Sequence, residues 1–166
     1  MLKEEERPDI KFLALDVDGV LTDGGIYVTE NGDLSKKFNV KDGVGIKAAL
    51  KAGIVVGFIS AASRSEKLTH ARAEMLGVQY SYSGTEEKVL VLNKWLTNLK
   101  IKTSEVAFIG DDLTDLKIIS EVGFSACPSD ATEKIKKAVN IVLEKKGGEG
   151  CVREFIDKFL LENFNE

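Results

Sequence analysis

Two aspartates, Asp16 and Asp18, follow directly on an apolar run from Phe12 to Leu15. Side chains two positions apart on an extended chain point the same way, so both carboxylates can reach one site. Neighbouring carboxylates in a partly buried pocket repel each other unless a cation neutralises them. Oxygen ligands favour Mg²⁺, which also accepts phosphate oxygens. The pair therefore indicates metal-assisted phosphoryl chemistry.

Other chemically capable side chains follow later apolar runs of strand length. Ser60 ends the run IVVGFIS, Lys88 follows the loop GTEEK, and Asp111 follows the run EVAFIG. Asp112 and Asp115 stand beside Asp111. They could orient metal-bound waters or Lys88, but acids at a helix start also cap free amides and stabilise the helix dipole, so a structural role is an equal alternative.

The residue types suggest a separate chemical role for each of these side chains. Asp16 is the candidate nucleophile, which would form an aspartyl phosphate. Asp18 is the candidate acid and base, which would protonate the leaving oxygen and then take a proton from water. Ser60 and Lys88 are the candidate phosphate ligands, and Asp111 would complete the Mg²⁺ site.

The spacing of apolar residues predicts the elements that position these side chains. Continuous apolar strands alternate with helices, a pattern typical of a parallel sheet covered on both faces. We therefore predict an α/β fold with a doubly wound, Rossmann-like parallel sheet, in which ligands bind at the carboxyl ends of the strands. One insertion follows the first strand: Asn31-Gly32 predicts a β-hairpin within residues 26–40. Predicted helices include residues 113–121, residues around 135–139 and an amphipathic tail over 152–160.

Composition limits the class of protein. At 166 residues, 43% hydrophobic and 30% charged, the chain suits one domain, placed here at residues 1–166. No run approaches the roughly 18 apolar residues of a membrane helix, and the start lacks a signal-peptide pattern. A net charge of −4 argues against a broad nucleic-acid surface. We expect a cytoplasmic protein that binds neither nucleic acid nor membrane.

The motifs also carry a family resemblance. DVDGVLTDG, the ENG hairpin, FNVKDGVGIK, GTEEK, FIGDDLTDL and GGEGCVRE occur in the order typical of the cap-less branch of the haloacid dehalogenase superfamily. The chain resembles that branch from Ile10 to about Phe159. The resemblance implies hydrolysis of 3-deoxy-D-manno-octulosonate 8-phosphate, with Mg²⁺ bound by the carboxylates of Asp16 and Asp111 and the backbone carbonyl of Asp18. It also implies a homotetramer in which the hairpin over residues 24–40 helps to roof a neighbour's site.

One departure from the family pattern lies where the sugar should bind. The segment after Ser60 is about two residues longer than usual, and it carries Arg64, a candidate ligand for the substrate carboxylate. Arg153, beyond the glycines of GGEG, is a second candidate, although that segment could equally be a plain turn.

Three alternatives stay open at the level of sequence. The substrate could be a nine-carbon keto-sugar acid 9-phosphate of the sialic acid or KDN type. The chain could be a signalling receiver domain, although receivers place adjacent acids after the first strand. It could also be a non-catalytic assembly domain linked to a sugar cytidylyltransferase.

Overall fold

A computed structural model of the protein describes residues 9–161. Residues 1–8 and 162–166, the two ends of the predicted domain, lie outside the described residues. The described residues contain eight strands, in chain order: β1 (Phe12–Leu15), β2 (Tyr27–Val28), β3 (Leu34–Ser35), β4 (Val55–Ser60), β5 (Tyr80–Ser83), β6 (Val106–Ile109), β7 (Phe124–Cys127) and β8 (Ile141–Val142). In the same part of the chain six α-helices alternate with them: α1 (Val40–Lys51), α2 (Glu66–Leu76), α3 (Lys88–Leu99), α4 (Leu116–Ile119), α5 (Glu133–Lys136) and α6 (Cys151–Phe155).

Six of the strands form one parallel sheet, in the order β5-β4-β1-β6-β7-β8. The chain first builds the sheet outward from β1 through β4 and β5, then returns to the other side of β1 with β6. This reversal beside β1 is where such sheets bind ligands. Leu15 at the end of β1 pairs with Phe58 of β4 and Ile109 of β6. The residues that follow these strands therefore meet at one edge.

Helices cover both faces of the sheet, as predicted. Side chains alternate across β1, so Leu13 and Leu15 enter one apolar cluster while Phe12 and Ala14 enter the other. All four have no exposed surface. Full burial of each large apolar side chain contributes about 1.5–3 kcal/mol. The central strand is thus held from both sides, which fixes the position of Asp16 at its end.

The predicted hairpin is present, with shorter strands than its β-prone sequence suggested. Strands β2 and β3 pair antiparallel, with Tyr27 opposite Ser35, and the turn places Gly32 at φ 83°. The extended run stops before Val40 because the Asn39 side chain accepts a hydrogen bond from the Lys41 amide and caps α1.

Three helices differ from their predicted extents. The helix predicted over residues 113–121 is a 3₁₀ turn over Leu113–Asp115 followed by the four-residue α4. The Asp112 side chain accepts from the Leu113 amide and so caps the tight turn before a regular helix begins. The helix predicted around residues 135–139 is Glu133–Lys136, and the predicted tail helix is α6 extended by a wide turn over Ile156–Leu160. Within residues 9–161, no helix combines the length and apolar character needed to cross a membrane.

Candidate active site

A cavity of about 400 Å³ opens at the carboxyl ends of the central strands. Six predicted site residues line it: Asp16, Asp18, Ser60, Lys88, Asp111 and Asp112. They come from four separate segments of the chain, which the parallel sheet brings to one edge. The remaining lining residues are Gly19, Gly24, Ala61, Ala62 and Thr114.

The segment after β1 bends in a wide turn over Val17–Leu21 that presents both aspartates to this cavity. Gly19 sits at φ 81°, and a Cβ on it would lie 2.0 Å from Oδ2 of Asp111. Only glycine fits both that backbone angle and that approach. The buried Thr22 hydroxyl accepts from the amides of Gly19 at 3.3 Å and Gly24 at 3.2 Å, which closes the turn.

Lys88, at the start of α3, links two buried carboxylates. Its Nζ lies 2.6 Å from Oδ1 of Asp16 and 2.6 Å from Oδ1 of Asp115. The other oxygen of Asp115 accepts from the amides of Asp111 at 2.9 Å and Asp112 at 3.3 Å. Asp115 has no exposed surface, so it fixes both the lysine and the loop that carries Asp111.

The negative charge of these carboxylates is more than the single ammonium of Lys88 can neutralise. Burial raises the pKa of Asp16 well above its usual range, and Lys88 only partly opposes this. Burial, reinforced by Asp115, raises the pKa of Asp111 to about 6. Burial alone would lower the pKa of Lys88, but the attraction of Asp16 and Asp115 outweighs it and the pKa is raised.

This donor set fits a hard cation. One oxygen each from Asp16, Asp111 and Asp115 lies within 4.8 Å of the others. Both oxygens of Asp115 already accept hydrogen bonds. Asp16 and Asp111 are therefore the better ligands, and an all-oxygen site with excess negative charge suits Mg²⁺.

Asp18 is held by contacts that the sequence did not reveal. Its Oδ1 lies 2.6 Å from Nζ of Lys36, which belongs to the end of the hairpin. Its Oδ2 makes a long contact of 3.5 Å with Oγ of Ser60. Lys36 is one of two adjacent lysines, and no sequence pattern marked it as the buried one. Thr114, which lines the cavity, also carried no sequence signal.

The two predicted substrate-binding arginines lie away from the cavity lining. Arg64 is exposed on a 3₁₀ turn over Ser63–Ser65. Nε of Arg153 lies 2.7 Å from both carboxylate oxygens of Asp157. The structure therefore brings neither guanidinium together with Asp16, and their roles stay predictions.

The glycine-rich loop after β8 packs against the wide turn over Val17–Leu21. The Gly148 amide donates to the Val20 carbonyl at 2.9 Å, and the Gly147 amide donates to Oδ1 of Asp130 at 3.0 Å. A Cβ on Gly147 would lie 1.8 Å from the Gly19 carbonyl oxygen. This close backbone packing accounts for Gly147 and Gly148 without assigning them substrate contacts.

Comparison with known proteins identifies relatives that match most of this chain. Residues 82–156 match the family model of the haloacid dehalogenase-like hydrolases. The 3-deoxy-D-manno-octulosonate 8-phosphate phosphatase KdsC of Escherichia coli K12 is 40% identical over 153 residues, which cover 92% of this chain and 80% of the relative. These findings confirm the sequence resemblance, and they favour a phosphatase over the receiver and assembly hypotheses.

Solved structures agree with the sequence relatives. The phosphatase of the same substrate from Yersinia pestis superposes with a TM-score of 0.89 at 38% identity, covering 93% of this chain and 82% of that one. The Moraxella catarrhalis enzyme, solved with magnesium, phosphate and KDO, gives 0.88 at 35% identity, covering 92% and 87%. The chain therefore belongs to the family of the 3-deoxy-D-manno-octulosonate 8-phosphate phosphatases, within the haloacid dehalogenase-like hydrolases.

Proposed function

We propose that the protein is a Mg²⁺-dependent phosphatase that hydrolyses 3-deoxy-D-manno-octulosonate 8-phosphate to the free sugar acid and phosphate. The observation that carries this is the buried Asp16 carboxylate directly after β1, which is held by Lys88 and has an oxygen within 4.8 Å of an Asp111 oxygen. Relatives of that activity share the whole described fold with this chain.

In the first step, a carboxylate oxygen of Asp16 attacks phosphorus and the bond from phosphorus to the sugar oxygen breaks. Asp18 gives its proton to the departing oxygen, which leaves as the C8 hydroxyl of the sugar acid. In the second step, Asp18 takes a proton from water, and the water oxygen attacks phosphorus. The bond to Asp16 breaks, phosphate leaves, and both aspartates return to their starting forms.

The remaining residues hold the phosphoryl group and its charge. The Ser60 hydroxyl and the Lys88 ammonium donate to the equatorial oxygens, on which charge builds during each step. Asp16, Asp111 and the Asp18 carbonyl would hold Mg²⁺, which would neutralise that charge. Asp115 keeps Lys88 beside Asp16 through its 2.6 Å contact, while Asp112 lines the cavity and would orient water on the metal.

Phosphate release from a panel of eight- and nine-carbon sugar acid phosphates, with Mg²⁺ and with EDTA, tests the proposal. We expect the 8-phosphate to have the highest kcat/KM, EDTA to abolish release, and Asp16→Asn to lower kcat by at least about 10³-fold, because the nucleophile is lost. A nine-carbon 9-phosphate as the best substrate would move the assignment to the sialic acid or KDN type. Full turnover by Asp16→Asn would contradict the mechanism.

Assembly and location extend the proposal. We infer a homotetramer acting in the cytoplasm, with Arg64 or Arg153 meeting the substrate carboxylate once copies assemble. The hairpin supports this because Ile26, Tyr27 and Val28 are 55%, 59% and 64% exposed, an apolar strip suited to a neighbouring copy. Light scattering of the wild-type protein and of Tyr27→Ser tests the assembly. A monomeric wild type would contradict it.

A further inference from the structure

Lys36 occupies an unusual position for a hairpin lysine. It directly follows β3, and its side chain has no exposed surface. The next residue, Lys37, has a side chain 57% exposed and pairs with Asp23 at 3.1 Å, which is the ordinary behaviour of a surface lysine. The fold therefore turns one of two adjacent lysines inward.

The buried ammonium lies between two segments of the active site. Its Nζ is 2.6 Å from Oδ1 of Asp18 and 2.6 Å from Oγ of Ser65. Ser65, only 3% exposed, donates in turn to the carbonyl oxygen of Ala62 at 3.1 Å. Ala62 lines the cavity. Lys36 thus connects the hairpin, the turn that carries Asp18 and the lengthened segment after Ser60.

Burial of a lysine is a poor way to gain stability. Removing an ammonium from water costs several kcal/mol, which an ion pair with good geometry repays only in part. What the ion pair contributes instead is geometry, because an ammonium 2.6 Å from Oδ1 restrains the position of the Asp18 carboxyl group. The Asp18 side chain is 31% exposed, and its second oxygen has only the 3.5 Å contact with Ser60. Lys36 is therefore its strongest anchor among the described residues.

We propose that Lys36 is a positioning residue: its contact with Oδ1 holds the Asp18 side chain so that Oδ2, which carries the proton, can deliver it to the leaving sugar oxygen. A general acid must lie within hydrogen-bond reach of the atom that it protonates. The inference rests on the proposed function, because it assumes that Asp18 serves an alkyl leaving group. Lys36 itself does not touch the substrate; it acts through Asp18.

The first test compares leaving groups in Lys36→Met with enzyme in excess over substrate. An alkyl phosphate such as the sugar acid phosphate needs its leaving oxygen protonated, whereas p-nitrophenyl phosphate does not, because p-nitrophenolate leaves unaided. We expect a loss of about 10- to 100-fold in the single-turnover rate with the sugar acid phosphate, since small displacements of a catalytic group cost about this much. The loss with p-nitrophenyl phosphate should stay below about 3-fold. Equal losses for both substrates would overturn the proposal.

The second test combines Lys36→Met with Asp18→Asn. If Lys36 acts only through Asp18, the double variant turns over as fast as Asp18→Asn alone. A further 10-fold loss in the double variant would assign Lys36 a direct role and overturn the proposal. Lys36→Arg, which keeps a cation at this position, should recover part of the rate, and KM should change less than kcat in each Lys36 variant.

Two controls separate positioning from folding. Lys37→Met removes the adjacent lysine, which pairs with Asp23 outside the cavity lining, and should leave all rates within 2-fold of the wild type. Circular dichroism and thermal unfolding show whether Lys36→Met folds. If it does not, the leaving-group test is made with Ser65→Ala, which removes only the second partner of the ammonium. An inactive wild type refutes the proposed function, whereas an active wild type matched by Lys36→Met refutes only this inference.

Discussion

Replacing Asp42 by asparagine will remove a pH-dependent loss of folding stability between about pH 3 and pH 7. Asp42 lies in the first turn of α1, is 1% exposed, and accepts from the Arg153 amide at 2.8 Å, which ties α1 to α6. Its Oδ2 has no partner among the described residues. Burial raises the pKa of Asp42 from 3.8 to about 6, although the backbone amides of α6 oppose this.

The sign and size of this change in the free energy of unfolding follow from the difference between the pKa values of Asp42 in the folded and the unfolded chain. Below about pH 3 the side chain is neutral in both the folded and the unfolded chain, so it has no effect. As the pH rises, the unfolded chain ionises Asp42 freely while the folded chain does not, and the free energy of unfolding falls. The loss is complete only above about pH 7, where Asp42 is ionised in the folded chain as well. At 1.36 kcal/mol for each pKa unit, a rise from 3.8 to about 6 amounts to about 3 kcal/mol.

Urea unfolding of the wild type and of Asp42→Asn at half-unit steps from pH 3 to pH 7.5 measures this contribution. Asparagine keeps an acceptor for the Arg153 amide but does not ionise. As the pH rises, the free energy of unfolding of Asp42→Asn should therefore increase by about 3 kcal/mol relative to that of the wild type. A constant offset is expected from the changed hydrogen bonding. Glu30→Gln, which removes one negative charge from the exposed hairpin, controls for net charge. Parallel curves for the wild type and Asp42→Asn would refute the reasoning.

Three further predictions concern the metal, the supporting loop and the core. Mg²⁺ at 100 times its Kd should raise the free energy of unfolding by about 2.7 kcal/mol, and Asp111→Asn should abolish this gain in calorimetry; an equal gain in the variant would exclude Asp111 as a ligand. Gly147→Ala should cost about 1–3 kcal/mol and lower kcat, because its Cβ would lie 1.8 Å from the Gly19 carbonyl oxygen; unchanged unfolding and turnover would contradict that packing. Phe155→Ala should cost about 3–5 kcal/mol in urea unfolding because Phe155 is fully buried, and a loss below 1 kcal/mol would contradict its place in the core.

The parallel sheet and the main site could be predicted because both depend on local patterns. Continuous apolar runs identify buried parallel strands, and the residue after each run must lie at the same edge of the sheet. This logic places Asp16, Ser60 and Asp111 together before any coordinates are known. Their assigned chemical roles go beyond geometry and await the kinetic tests.

Other features depended on contacts between distant segments. Lys36 and Lys37 are indistinguishable in sequence, and only the docking of the hairpin beside Ser65 decides which one is buried. Asp42 likewise resembles an ordinary acid near a helix start until α6 packs against it. The helix predicted over residues 113–121 begins as a 3₁₀ turn and ends at Ile119, because the side chains of Asp112 and the buried Asp115 cap a tighter first turn. Tertiary contacts decided the burial of Lys36 and Asp42, whereas local capping decided the form of this helix.

The packing of the glycine-rich loop behind the wide turn also constrains the order in which the protein can mature. Sγ of Cys151 contacts the Val20 carbonyl oxygen across 131 positions of the chain. Ribosomes add roughly 5–20 residues per second, so about 7 to 26 seconds separate the synthesis of these two segments. Asp16, Asp18, Ser60, Lys88 and Asp111 have all been made before residue 147. A nascent chain at that stage therefore carries every proposed catalytic group, yet it still lacks the backbone that packs against the turn over Val17–Leu21.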